Sequence, residues 1–83
     1  MKELKWNQEK NSLLLKSRDI SFEEVALALE EDRVLGFIDH PSRSNQFIVT
    51  VLIKGYPWDV PFVVEADGSW FLKTVYPNRK RKK

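Results

Sequence analysis

The sequence predicts an α+β fold in which two N-terminal helices pack on a four-stranded antiparallel sheet, in the order α-α-β-β-β-β. Three observations support this prediction. Apolar residues recur at helical spacing in the first third of the chain, and a capping box marks the start of the second helix. From residue 34 onward the pattern becomes extended and is broken only by turn residues. Because the connections are short, we expect a meander with the helices on one face.

Size and composition limit the classes of protein that fit. The chain has 83 residues, 42% hydrophobic and 31% charged, which is typical of one domain, spanning residues 1–83, with a single modest core. It has no cysteine, which excludes disulfides and thiolate metal sites. No apolar run approaches the roughly 18 residues that span a bilayer. We therefore expect a cytoplasmic protein without membrane contact.

The first helix is expected to begin after Asn7, whose side chain can cap it, and to end near Asp19. Glu9 lies in the first turn, where the helix dipole favours a negative charge. Three consecutive leucines, residues 13–15, predict a broad apolar side.

The second helix has the sharpest local signal. Ser21 and Glu24 form a capping box, and Ile20 and Val25 are placed for a hydrophobic staple. The apolar face is expected to consist of Phe22, Val25, Ala26 and Leu29. Residues 30–32 are acidic, and we expect them to be solvated or to contact a basic partner.

Four strands are expected in the remaining chain, at residues 34–39, 46–54, 56–65 and 70–76. The second has apolar residues on both faces, which favours a central position. Pro57 and Pro61 cannot donate ladder hydrogen bonds, which predicts an edge position or bulges for the third strand. Residues 66–69, with Asp-Gly at their centre, predict the last hairpin turn.

The charge is unevenly distributed. Residues 79–83 are all basic, and without them nine Lys and Arg remain against twelve Asp and Glu. A positive tail on a negative body indicates a polyanionic partner, either nucleic acid or an acidic protein. A solubilising terminus would give the same pattern.

Few catalytic mechanisms fit this inventory. One histidine and no cysteine exclude a His-rich zinc site and a Cys-His dyad, and no metal or cofactor is expected. RNA cleavage remains open, because the substrate's own 2′-hydroxyl is the nucleophile and the protein needs to orient the backbone and stabilise charge on the phosphate. Bases of a single strand can also stack on aromatic rings.

The candidate residues each have a structural alternative. Arg79 is the strongest candidate, because Pro77 is expected to hold it near the last strand. Lys73 can contact a phosphate or be a solvent-side strand residue, and His40 can assist proton transfer or cap a turn. Tyr56 is the other candidate for proton transfer. RNA-binding cations are expected at Lys54, Lys80 and Arg81.

Two segments resemble a known family. Residues 6–11 read WNQEKN and residues 20–25 read ISFEEV, which resemble the W-D-x-x-K-N and H-G-I/V-S-F-E-E-A opening of the BrnT-like toxins of bacterial type II toxin–antitoxin systems. Later stretches, at residues 39–41, 60–63 and 71–80, resemble a short subgroup of related toxin-like proteins. The resemblance covers nearly the whole chain.

The resemblance implies a RelE-like fold, ribosome-independent RNA cleavage, and neutralisation by a small cognate antitoxin. The family's arginine-bearing last strand reads FLKTVY here, so Lys73 or Arg79 would have to replace its arginines. Lysine lacks the bidentate fork of arginine. The resemblance therefore supports the fold more strongly than the RNA-cleaving activity. Two alternatives stay open: a non-catalytic nucleic-acid-binding module, and a protein-interaction domain that holds an antitoxin-like partner. Nothing in the sequence indicates an oligomeric state.

Overall fold

The computed structural model describes residues 3–39 and 46–78 of the chain. Within these ranges it has two helices and six strands. Their bounds are β1 Leu4–Trp6, α1 Gln8–Arg18, α2 Phe22–Glu30, β2 Val34–Asp39, β3 Gln46–Ile53, β4 Tyr56–Val64, β5 Trp70–Leu72 and β6 Tyr76–Pro77. The α+β class is confirmed.

The strands form one mixed sheet in the order β1-β5-β4-β3-β2, and β6 also pairs with β4. The predicted four-stranded antiparallel sheet was therefore wrong in two respects. A short strand, β1, precedes the helices and pairs in parallel with β5, while the other pairs are antiparallel. In addition, the predicted last strand is divided into β5 and β6.

The division of the last strand follows from the prolines of β4. The carbonyls of Pro57 and Pro61 accept hydrogen bonds from the amides of Asn78 and Lys73, so the side of each proline that lacks an N–H faces β5 and β6. Opposite Pro61 the ladder cannot continue as a regular pair. The register then gains one residue, because Leu72 pairs with Phe62 but Tyr76 pairs with Asp59. Strand β4 is thus central, not at an edge. Its prolines face β5 and β6, the strands between which the register changes.

Both helices begin as predicted. The Asn7 side chain accepts a hydrogen bond from the Lys10 amide, and Ser21 and Glu24 form a complete capping box. Helix α1 ends at Asp19, which adopts a left-handed conformation with φ of 56°. In the described residues neither helix is long and apolar enough to cross a membrane.

The apolar side of α1 is narrower than predicted. Leu14 is buried, whereas Leu13 and Leu15 are 59% and 48% exposed. The helix meets the rest of the fold along a stripe at helical spacing, Asn11 and Leu14. Helix α2 buries Phe22, Val25 and Ala28, so Ala28 replaces Ala26 and Leu29 in the fully buried face.

One hydrophobic core lies between the helices and the sheet. Trp6 stacks on Phe22 with ring centroids 5.6 Å apart, which ties β1 to α2. The buried members of the core are Leu14, Ile20, Phe22, Val25, Ala28, Val49, Val51, Ile53, Val60, Phe62, Leu72 and Val75.

The sheet is strongly curved. Phe37 of β2 and Trp70 of β5 are separated by two strands, which would put them at least about 14 Å apart in a flat sheet. Their rings nevertheless make an edge-to-face contact with centroids 5.7 Å apart, and both contact Phe62. The curvature therefore brings side chains of distant strands together on the concave face.

Candidate functional site

A shallow open cleft of about 520 Å³ lies between the first turns of α1 and the end of β5. It contains two amines, a carboxylate and an aromatic ring. The described residues that line it are Asn7, Glu9, Lys10, Leu13, Phe71 and Lys73.

The parallel pairing of β1 with β5 builds this cleft. Trp6 is the register partner of Leu72, so the residues that follow them, Asn7 and Lys73, leave the sheet side by side. Asn7 begins α1, and the first turns of that helix therefore stand beside the end of β5. The exposed N–H groups at this end of a helix carry a partial positive charge.

Lys73 is held at the mouth of the cleft by its backbone and its side chain. Its amide donates to the Pro61 carbonyl at 2.9 Å. Its Nζ lies 5.3 Å from the centroid of the Phe71 ring, which is a cation–π contact. The exposed ammonium therefore stands beside a half-buried aromatic ring, an arrangement suited to a phosphate next to a base.

Tyr56 does not join this cleft. It is half-buried at the start of β4, where its ring packs edge-to-face on Trp58 with centroids 6.1 Å apart. Pro61, the partner of the Lys73 amide, lies five positions along the strand from Tyr56, which corresponds to about 17 Å. The structure therefore places the predicted proton-transfer residue Tyr56 away from the predicted phosphate contact Lys73.

Lys54 is engaged by the protein itself. It lies with Gly55 in the β3–β4 turn, where both residues have positive φ. Its Nζ is 3.1 Å from the Asp19 carbonyl oxygen, 3.3 Å from Asp19 Oδ2 and 3.9 Å from Glu24 Oε2. An RNA phosphate could bind this ammonium only in competition with two carboxylates.

The remaining predicted site residues, His40, Arg79, Lys80 and Arg81, lie outside the described residues. The attachment point of the basic run is nevertheless defined. Asn78 donates its amide to the Pro57 carbonyl at 3.0 Å and its side-chain Nδ2 to Asp59 Oδ1 at 2.9 Å. Asn78, the last described residue, is therefore fixed on β4 at Pro57, the residue that follows Tyr56.

No family model, no curated protein and no solved structure matches this chain.

Asp59 organises the polar contacts under the C-terminal strand. It is 9% exposed, and its Oδ1 also accepts a hydrogen bond from the fully buried Thr50 hydroxyl at 2.7 Å. Burial, together with the nearby Asp59 carboxylate, raises the pKa of the Tyr76 hydroxyl above its usual value of 10. Within residues 3–39 and 46–78, no three His, Cys, Asp or Glu side chains come together as a metal site.

Sequence reasoning found Lys73 but missed Lys10, Glu9 and Phe71 as its neighbours. Glu9 and Lys10 lie more than 60 positions before Lys73 in the sequence. Phe71 was expected to be part of the last strand but was not considered as a site residue. Only the pairing of the Leu4-Lys5-Trp6 triplet with the last strand could have revealed them, and no local pattern in the sequence shows this pairing. Had this triplet been paired with the last strand, α1 would have been placed beside Lys73.

Proposed function

We propose that the chain is the toxin of a bacterial type II toxin–antitoxin pair, that it cleaves RNA, and that a cognate antitoxin neutralises it. The observation that carries this proposal is the cleft that Lys10, Lys73 and Phe71 line at the N-terminal end of the 11-residue helix α1. Two ammonium groups and a helix N-terminus favour a phosphate, and the ring offers a surface on which a base can stack.

Two further observations support it. The resemblance of residues 6–11 and 20–25 to the opening of BrnT-like toxins falls on the segments that form the start of α1 and the capped start of α2. These two helices pack on one face of the sheet, as a RelE-like architecture requires. The extra parallel strand β1 and the mixed sheet are departures from the expected four-stranded form.

The proposed reaction needs no nucleophile from the protein. The 2′-oxygen of the RNA forms a bond to phosphorus, and a 2′,3′-cyclic phosphate results. The bond to the 5′-oxygen breaks as that oxygen takes a proton from water and leaves as a 5′-hydroxyl. Lys10 and Lys73 stabilise the charge that develops on the phosphate oxygens. Glu9 is the acidic side chain among the described cleft residues, and we assign it the role of accepting the 2′-hydroxyl proton; Arg79 and His40 remain candidates for further charge stabilisation and proton transfer.

Expression of the chain and of its variants in bacteria tests this proposal. We expect the unaltered chain to arrest growth and to produce RNA fragments that end in 2′,3′-cyclic phosphates. The double variant Lys10→Ala/Lys73→Ala should lose at least 100-fold in cleavage rate by purified protein, since removal of one charge-stabilising donor typically costs about 100- to 1000-fold. Lys16→Ala is the matched control, because Lys16 is exposed in the last turn of α1, away from the cleft.

The outcomes separate the site from the activity. Full cleavage by the Lys10→Ala/Lys73→Ala variant would show that the cleft is not the site, and a loss in Arg79→Ala alone would move it to the C-terminal run. No cleavage of total cellular RNA by the unaltered protein, with no growth arrest, would contradict the toxin proposal as a whole.

A non-catalytic nucleic-acid-binding module is the second candidate. The separation of Tyr56 from Lys73 favours it, because the cleft then has cations and an aromatic ring but a single described carboxylate for proton transfer. Under this alternative the double variant should lose RNA affinity, while the unaltered protein leaves RNA intact in every buffer tested.

A further inference from the structure

A second depression, which we name the α2 groove, lies between α2 and the concave face of the sheet and has a volume of about 510 Å³. It shares no described lining residue with the α1–β5 cleft. Helix α2 contributes a stripe at i, i+3 and i+4 spacing, and the strands contribute large apolar side chains. The described lining residues are Leu4, Trp6, Ala26, Leu29, Glu30, Val34, Phe37 and Trp70.

The groove exposes more apolar surface than the core requires. Phe37 is 56% exposed although its ring contacts Trp70 and Phe62. It stands on β2 at one rim, and Leu29 of α2 packs partly against the core at the other. An apolar concavity with an exposed phenyl ring is the kind of surface that binds another molecule.

The surroundings favour a helix as the occupant. The strands that line the groove carry their N–H and C=O groups in the plane of the sheet, although β1 and β2 are its two edge strands. They therefore present side chains to the groove. An extended segment would bury its own N–H and C=O groups there without partners, at a cost of several kcal/mol in an apolar setting. A helix satisfies those groups internally and can insert apolar side chains at i, i+3, i+4 and i+7.

Charge selects the kind of helix. Glu30, in the last turn of α2, is the charged residue among the described lining residues, and its charge is negative. Glu31 and Asp32 follow it and are exposed, and Arg33 offsets Glu31 through a contact of 3.0 Å. The C-terminal end of the helix adds partial negative charge. A cation on the occupant is therefore favoured at this end of the groove.

We propose that the α2 groove binds an amphipathic helix of a partner protein, with its apolar stripe in the groove and a Lys or Arg directed at Glu30. This inference goes beyond the RNA activity, which belongs to the other cleft, and either proposal can fail without the other.

Three synthetic helical peptides of about 16 residues test it. The first has leucines along one stripe and lysines beside them, and the second replaces the lysines with glutamates. The third has the composition of the first with its leucines spread around the helix. We expect the first to bind at least tenfold more tightly than the other two by fluorescence anisotropy. Phe37→Glu should weaken this binding at least tenfold, and Glu30→Lys should reverse the preference between the first two peptides.

Leu27→Glu is the matched control, because Leu27 is 48% exposed on the same helix and does not line the groove. Circular dichroism and thermal melting establish that each variant is folded. Equal binding of the first and third peptides, or equal effects of Phe37→Glu and Leu27→Glu, would overturn the proposal. So would a dimer in sedimentation equilibrium that Phe37→Glu dissociates, since the occupant would then be a second copy of this chain.

Discussion

Asn11 joins the two helices through one buried side chain. It is 5% exposed. Its Oδ1 accepts the Phe22 amide at 2.7 Å, and its Nδ2 donates to Glu23 Oε1 at 2.8 Å. Because the Phe22 amide belongs to the first turn of α2, it has no partner within that helix. Asn11 of α1 therefore supplies an acceptor to an amide that has none within α2.

We predict that Asn11→Ala lowers the free energy of unfolding by about 1–3 kcal/mol, because the buried Phe22 amide loses its acceptor. Urea denaturation followed by circular dichroism measures the change. Ser12→Ala, at the exposed neighbouring position on α1, should change stability by less than about 0.5 kcal/mol. Equal effects of the two substitutions would contradict the role given to Asn11.

Asp67 is the clearest titrating group in the fold. Hydrogen bonds from the Ser69 hydroxyl and amide, at 2.6 and 2.9 Å, lower the pKa of this carboxyl from 3.8 to about 2, and Lys5 at 3.5 Å contributes less. Since the folded pKa is depressed, the stabilisation is present above pH 4 and is lost as pH falls towards 2.

A carboxyl carbon titration by NMR should therefore give Asp67 a midpoint of about 2. We predict that Ser69→Ala raises this midpoint towards 3.8, and that Lys5→Ala raises it less. A midpoint that Ser69→Ala leaves in place would show that the serine is not the main cause.

At the scale of elements, features set by nearby residues could be predicted from the sequence, whereas features set by distant residues could not. Both helix caps could be read from Asn7 and Ser21, because a cap depends on residues three positions apart. The bounds of β2 were predicted correctly because its extended pattern is also local. Strand β1 was missed because its three residues carry no detectable period and its partner, β5, begins at Trp70. The break after β5 depends on Pro61 of another strand.

Strand β6 has two residues and pairs with β4, and the Asn78 side chain that follows it donates to Asp59 Oδ1. We predict that Asp59→Ala speeds hydrogen exchange at the Asn78 amide by about tenfold or more, since a hydrogen bond to a charged group contributes about 1.5–3 kcal/mol. Thr50→Val is the matched comparison. It removes the other donor to Asp59 Oδ1 but leaves the Asn78 contact, so it should have a smaller effect on that amide.

Hydrogen exchange of the Asn78 amide, measured by NMR in both variants, separates a local effect of the Asp59 contact from a general loss of stability. If Thr50→Val and Asp59→Ala accelerate the Asn78 amide equally, the effect comes from general loss of stability and not from this contact.

For the whole molecule, the charge split predicts a salt-dependent interaction with RNA. Each phosphate neutralised on a single strand contributes about 0.7 to the slope of log K against log salt concentration. We predict that replacing all five basic residues at 79–83 by glutamine reduces this slope by up to about 3.5. Lys10→Ala/Lys73→Ala should reduce it by about 1.4. Titration of a labelled single-stranded RNA at several salt concentrations measures both, and binding of the unaltered protein that is insensitive to salt would contradict the prediction.

The candidate functional site could be predicted only in part, because it too depends on contacts between residues that are distant in the sequence. Lys73 could be singled out by its type and place on a strand, and the basic run by its composition. The placement of Lys73 and Lys10 along one cleft depends on a parallel strand pair that no local pattern shows. Conversely, Lys54 looked available in the sequence, but Asp19 and Glu24 hold its ammonium.

The pairing of Leu4–Trp6 with Trp70–Leu72 also has a consequence during translation. The first turns of α1 are synthesised early, but the β5 side of the α1–β5 cleft is added more than 60 residues later. A nascent chain that stops before Lys73 therefore has no cleft, even if both helices have already formed. If the cleft cleaves RNA, the protein cannot attack the message that encodes it until nearly all of the described fold has left the ribosome.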